Sequence, residues 1–469
     1  MTIPPGGADA ALVIARAAAD LRFDDLSEQA VATAKRAVLD TLGASLAATG
    51  FGEEASALAD VVREYATPRG VDVPGLGVRL PPLEAAFWWG GLAHSADLDD
   101  YADIVHPSAP IVSSVVPFAQ ARAGTTGRDL IVAIAAAQDL VVRIALSLRA
   151  PLGSYGWSPA LPGVFGAALA GARLRGLDAA ATANALGLAL HQATGTMEAI
   201  VSPGSAVRSI RDGFNARAGA LVAQLAEKGV PGDPGCFEGR YGLFPQYFGS
   251  DYDRDFLLDG LGRSFLGPRI TIKPWPSAGH THLYLTALDR LLQDPALTAD
   301  DVESIVLTGG SELLVQQCEP LEVRSAPVRA VDARISLPFL VASFLRRRGQ
   351  QLADFAPEQL ADPMTIELAR RVRWQRDASF RRGADGFGPA EVELVLKDGR
   401  RLRARVDQPR GHPDDPLSWD DLVAKFHQSV SAAAEPLPAS VTATFADRVD
   451  GLEEIDDIAG LMSILVSGR

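Results

Sequence analysis

GVFGAALAGARLRGLDAAATANALGLALHQATG, residues 163–195, sets glycine and alanine at helical intervals and breaks once, at Gly176-Leu177-Asp178. There a glycine stop is followed by a capping aspartate. Two helices are expected, and their small side chains let the backbones approach closely. The alanine stripe reads as packed core rather than as a cofactor box. The same character extends toward the N-terminus. In LSEQAVATAKRAVLDTLGASLA, residues 26–47, Val31, Ala34, Val38, Leu42 and Leu46 recur every three or four positions, while Lys35, Arg36 and Asp40 fall elsewhere. That pattern predicts an amphipathic helix with Ser27 as its N-cap. Residues 8–265 read as mostly helical.

The pattern changes near residue 266. VESIVLTGG (302–310) is a β-type run closed by glycines. EVELVLKDGRRLRARV (391–406) alternates Val392, Leu394 and Leu396 with polar residues, turns at Asp398-Gly399, and continues through Leu402, Ala404 and Val406, the signature of a hairpin. Helix-like stretches around 336–348 and 357–374 lie between these runs, so 266–408 reads as a smaller α+β domain. From DPLSWDDLVAKFHQSV (415–430) onward the chain returns to helix and can rejoin the first domain.

With 469 residues, 47% hydrophobic and 22% charged, the composition is globular and long enough for two domains. Cys236 and Cys318 stand far apart with no CxxC pair. Neither a disulfide framework nor a four-thiolate cluster can be built, and a reducing, cytoplasmic setting is expected. The N-terminal stretch lacks a basic region, and Asp9, Arg16 and Asp20 interrupt its apolar run, so it does not read as a signal peptide. LIVAIAAAQDLVVRIAL carries Asp139 and Arg143 and falls short of an uninterrupted membrane span. A net charge of −14 repels nucleic acid and acidic membrane surfaces, and neither is expected as a partner. An anionic ligand would then need a local cationic pocket.

Three polar constellations are candidates for chemistry. HSADLDDYADIVHPSAP (94–110) places His94, Asp97, Asp99, Asp100, Asp103 and His106 in one short stretch. His94 and Asp97 would share a face if the preceding helix continued. A metal site would need three or more converging ligands, and Asp-rich loops are more often solvated turns or caps, so no metal is expected. The alternative is acid/base work, a carboxylate orienting an imidazole that moves a proton, with His106 brought back against Asp97. In VSPGSAVRSIRDGFNARAGA (201–220), Arg208, Arg211 and Arg217 lie in a helix-forming stretch. Arginine forks bind carboxylates bidentately, though a solvated basic face has the same appearance. ITIKPWPSAGHTHLYL (270–285) sets Lys273, His280 and His282 around two prolines. Desolvation there would let Lys273 act as a base or an anion ligand, and one of the two histidines should be structural.

Several familiar sites are missing from the sequence. There is no GxGxxG, Walker loop, GxSxG or HExxH, which disfavours hydride transfer, NTP hydrolysis, serine hydrolysis on that fold and zincin chemistry.

Taken in order, GLAHSADLDDYADIVHPSAP, GWSPALPGVFGAALAGARLRGLD, SAVRSIRDGFNARAGALVAQLAEKGVPG, FEGRYGLF, IKPWPSAGHTH, VDARISLPF and DPLSWDDLVAKF resemble the MmgE/PrpD family, which includes 2-methylcitrate dehydratase, cis-aconitate decarboxylase and iminodisuccinate epimerase. The resemblance spans nearly the whole chain. It implies a mainly α fold: a large helical domain from both chain ends (1–265 and 409–469), a smaller inserted α+β lid domain (266–408), and a homodimer. It also implies a cofactor-free and metal-free site that removes or relocates a proton next to a carboxylate of a small polycarboxylate. By position, Asp97, His106 and Lys273 match the family's site aspartate, histidine and lysine. The sequence departs from the pattern at three places: Ser158 stands where many members have histidine, Tyr101 where they have threonine, and Arg208 where they have lysine. Arginine keeps the charge but not the titratable base. Tyr101 and Tyr155 are candidates for a replacement acid. Arg208, Arg211, Ser158, His94 and His280 are candidates for substrate binding. The expected activity is a lyase of dehydratase or decarboxylase type, with an epimerase using the same site as the alternative. A ligand-binding protein without catalysis is a further alternative.

Overall fold

The computed structural model describes residues 7–52, 54–202, 205–310, 312–381 and 388–467. Residues 1–6 of the N-terminal stretch and Pro203–Gly204 of the arginine stretch lie outside that description. The fold is mainly α. The described residues of Met1–Ser95, Asp99–Ile270 and Trp419–Arg469 form one unit, and those of Ala96–Leu98 and Thr271–Ser418 a second.

The first unit is built on α1 (Glu28–Phe51), α2 (Pro82–Ala93), α3 (Ser108–Ala121), α4 (Gly127–Ser147), α5 (Gly163–Leu174), α6 (Ala179–Ala189) and α7 (Val207–Glu227). Ser27 caps α1 as expected, its hydroxyl accepting from the Ala30 amide at 3.1 Å. Asp178 caps α6 through the Ala181 amide at 2.8 Å. Gly176 takes a left-handed φ of 66°, the conformation a glycine stop supplies. The small residues allow tight crossings: a Cβ on Gly219 of α7 would stand 2.3 Å from the Ala167 methyl of α5.

Helix α4 is long and apolar enough to cross a membrane by length and composition, yet 94% of its apolar window is buried inside the protein. Its charges are satisfied there. The Arg143 guanidinium donates to Asp139 at 2.7 Å and to the carbonyls of Asp259 and Ser264 at 2.6 and 2.8 Å, as a buried ion requires. The helix Trp419–Ser431, where the chain returns to this unit, packs on α1, where Lys425 meets Asp40. The unit is not purely helical: Val71–Asp72 and Arg79–Leu80 make a short antiparallel ladder.

The second unit combines α8 (Thr281–Leu291), β1 (Val302–Gly309), α9 (Leu337–Arg347), β2 (Val372–Arg376), β3 (Ala390–Leu396) and β4 (Arg401–Val406). The four strands form one sheet in the order β2-β1-β3-β4, parallel between β2 and β1 and antiparallel elsewhere. The hairpin read from the sequence is β3–β4, with Val392 opposite Ala404 and Leu394 opposite Leu402. Ile305, Leu307, Val392 and Leu394 of the sheet and Phe339, Leu340 and Phe344 of α9 are all fully buried, each apolar side chain contributing about 1.5–3 kcal/mol.

One expectation is corrected here. The stretch 357–374 is not a single helix but two short ones, Pro357–Leu360 and Pro363–Ala369, followed by β2. Pro363 breaks the first, having no N–H to continue it.

Candidate active site

Helix α2 ends at Ala93 and α3 begins at Ser108. The helix does not continue to Asp97, so the expected helical pairing of His94 with Asp97 does not form; Asp97 and Asp103 instead take left-handed φ values of 54° and 53°. Aspartate tolerates that region better than most residues. A short bridge between Ala102 and Val105 closes the loop. Pro107 then starts α3, and the Asp100 carboxylate caps it by accepting from the Ser108 amide at 3.2 Å.

The loop folds two imidazoles onto one carboxylate. His106 Nδ1 lies 2.9 Å from Asp99 Oδ2 and 2.9 Å from the Asp100 carbonyl oxygen. His94 Nδ1 lies 3.0 Å from both Asp99 oxygens. The rings meet edge to face at 4.4 Å. All acceptors facing the two Nδ1 atoms are oxygens, so each Nδ1 carries a proton and leaves its Nε2 pointing away from Asp99. Burial pushes the His94 imidazole down to about 3, with Asp99 opposing. Its Nε2 is buried and has no hydrogen-bond partner among the described residues. Burial likewise pushes the Asp100 carboxyl up to about 7. His94, Asp99 and His106 also bring one ligand atom each within 4.8 Å of one another, close enough for a divalent cation as well as for hydrogen bonding.

Helix α7 brings Arg208, half-buried, and Arg211, buried, one turn apart on the same unit. Arg217, on the same helix, is tied to Glu84 of α2 at 3.0 Å and reads as structural. Asp212 follows Arg211 and is fully buried.

In the second unit Lys273 is fully buried, and its Nζ donates to Asp97 Oδ1 at 3.1 Å and to the Asp97 carbonyl at 3.2 Å. The sequence matched these two residues separately; the fold makes them an ion pair. His282 is the structural histidine of its pair, stacked on Trp275 with Nε2 3.2 Å from Ser277 Oγ. His280 precedes α8 and is half-buried.

The remaining candidates differ in setting. Ser158 is buried in the turn before α5, its amide donating to the Gly195 carbonyl at 3.0 Å. Tyr101 is buried, which pushes its phenol well above the ordinary range. Tyr155 donates its hydroxyl to Asp251 at 2.7 Å at the surface, away from the imidazole cluster's hydrogen bonds.

In the sequence Asp99 stood only as one of six polar residues in its stretch, without a role of its own. Asp99 lies five positions after His94, a spacing with no helical or strand meaning, and only the loop's left-handed turns bring it to both rings.

Two family models match the chain: the MmgE/PrpD N-terminal domain over residues 13–255 and the MmgE/PrpD C-terminal domain over residues 275–450. A cis-aconitate decarboxylase of Aspergillus terreus is 25% identical over 472 residues, covering 96% of this chain and 94% of that protein. A human cis-aconitate decarboxylase is 25% identical over 470 residues, covering 95% and 92%. The mitochondrial 2-methylcitrate dehydratase of Yarrowia lipolytica is 22% identical over 421 residues, covering 84% and 78%.

Proposed function

The chain belongs to the MmgE/PrpD family, and from that premise we propose that it is a lyase acting on a small polycarboxylate, by decarboxylation of the cis-aconitate type. The observation that carries this reading is the His94–Asp99–His106 cluster, a proton-transfer group built from one carboxylate and two imidazoles. The full-length similarity to cis-aconitate decarboxylases of two kingdoms favours decarboxylation over water loss. Dehydration is the second reading, favoured by the 2-methylcitrate dehydratase relative.

Both reactions make the same demands. In decarboxylation the bond to the departing CO2 breaks, its electron pair passes into the carbon framework, and a proton is delivered to carbon. In dehydration a proton next to a carboxylate is taken and hydroxide leaves with a proton as water. His106 is assigned that proton transfer: Asp99 holds its Nδ1–H and leaves Nε2 to exchange the proton. Arg208 and Arg211 are assigned the substrate carboxylates, whose charge their forks match. Neither assignment calls on a metal or organic cofactor. Preorganised cations of this kind supply the largest share of the stabilisation where negative charge develops.

The working form is proposed to be a homodimer. Val207, Phe214 and Leu221 lie at seven-residue intervals on α7 and are 46%, 53% and 37% exposed, an apolar stripe that supports a helix-to-helix seam.

The test is incubation of the purified protein with cis-aconitate and, separately, with 2-methylcitrate, following CO2 release and the appearance of a new double bond. Release of CO2 supports the first reading, water loss the second. Neither from either substrate would count against a lyase of these two types.

A further inference from the structure

Helix α4 carries a buried amide, Gln138, to which the proposed reaction gives no part. Its side chain is 0% exposed. Nε2 donates to Ser108 Oγ, at the start of α3, at 2.8 Å, while Oε1 is buried without a hydrogen-bond partner among the described residues. A Cβ on Gly267 would stand 3.3 Å from Oε1, and the Leu266 amide next to it is tied to Asp139 Oδ1 at 2.8 Å. The chain at 266–267 therefore closes over the amide and leaves it little room to turn.

A buried acceptor without a partner costs stability, and an apolar side chain of similar size at this position would avoid that cost. What the amide does is orient Ser108. The Ser108 hydroxyl accepts from Gln138 on one side and bonds the Asp100 carboxyl on the other, and the Ser108 amide donates to Asp100 Oδ1 at 3.2 Å. Held in this way by its side chain, Asp100 presents its own carbonyl oxygen 2.9 Å from His106 Nδ1. An unbroken line of bonds thus runs from Gln138 through Ser108 and Asp100 to the ring assigned the proton transfer. Gln138, Ser108 and Asp100 are all buried, so water does not compete for these links.

We propose that Gln138 is a positioning residue for His106: through Ser108 it fixes the Asp100 peptide, so that the Asp100 carbonyl and the Asp99 carboxylate together hold Nδ1–H and set the direction in which Nε2 faces. It acts through two intermediaries and not on the substrate. The inference rests on the lyase reading for its effect on turnover, but not for its effect on the ring.

The experiment compares wild type with Gln138→Leu, Ser108→Ala and the double variant. Nitrogen-15 NMR of protein labelled at its seven histidines reads the His106 ring, whose signal is identified by its loss in His106→Gln. Both single variants should move that signal. With the substrate the wild type turns over, each should lose about 10-fold or more in kcat with little change in KM, as a slightly misplaced proton-transfer group does. Because the two residues act along one line, the double variant should be no worse than Ser108→Ala alone. A merely structural amide would change thermal stability and leave the His106 signal and kcat where they are. That result in Gln138→Leu, or losses in kcat that multiply in the double variant, would overturn the proposal. If the wild type acts on no carboxylate, the lyase reading fails, and the histidine spectra still decide whether Gln138 sets the ring.

Discussion

His106 Nδ1 sits 2.9 Å from Asp99 Oδ2, and Asp99 is itself almost fully buried. A carboxylate in that place fixes the ring and its tautomer. Asp99→Asn keeps the shape but can present an amide N–H to Nδ1, favouring the wrong tautomer. Turnover should fall by at least about 10^2-fold while substrate affinity changes little. Steady-state kinetics of the variant check this, and equal kcat in both proteins would detach Asp99 from the chemistry.

His94 should make acid stability depend on one ring. Its imidazole is pushed down to about 3 by burial, whereas in the unfolded chain it protonates near 6.5. Below that pH the unfolded chain binds a proton the fold refuses. Stability therefore falls as pH drops from about 6.5 toward 3, by about 1.4 kcal/mol per pH unit. His94→Gln should remove this slope in urea unfolding measured across the range.

Asp100 works in the opposite direction. Its carboxyl is raised to about 7 from its ordinary value of 3.8 by burial, so between those values the fold keeps a proton that the unfolded chain has released. Stability then falls as pH rises through that window and levels off above it. Asp100→Asn retains an oxygen for the Ser108 amide and removes the penalty. It should be more stable than wild type at about pH 8 and nearly equal at about pH 4, as thermal unfolding at the two values will show.

Lys273 and Asp97 should behave as one unit. Lys273→Met leaves a buried carboxylate without its cation and should lose about 3–5 kcal/mol. Adding Asp97→Asn should recover most of that stability without recovering turnover. A double variant that regained activity would show the pair to be structural only.

Tyr155 was legible as a possible acid only because a hydroxyl was needed somewhere. With its hydroxyl bound to Asp251 at the surface, Tyr155→Phe should leave turnover unchanged and stability within about 0.5 kcal/mol. A large loss of kcat in that variant would return it to the site.

The helices and the hairpin were readable because period and caps are local. Ser27, Gly176-Leu177-Asp178 and Asp398-Gly399 each mark a boundary that backbone geometry enforces. The stretch 357–374 misled because its apolar spacing suits a helix as far as Ala369 and a strand from Val372, and only sheet pairing with β1 decides the second part. In the site, residue types were visible but partners were not. Asp97, Asp99 and Asp100 are near neighbours in sequence, yet they meet a lysine, two imidazoles and a helix N-terminus respectively. Two left-handed aspartates aim them, and no periodicity announces such turns.

The most direct test of the central claim is proton NMR of the wild type and His106→Gln in D2O with cis-aconitate. The account predicts loss of CO2 from the wild-type sample, with one deuteron entering the product carbon, and no such conversion with the variant beyond about 1% of the wild-type rate. Unchanged cis-aconitate in the wild-type sample, or conversion at equal rates in both, would contradict it.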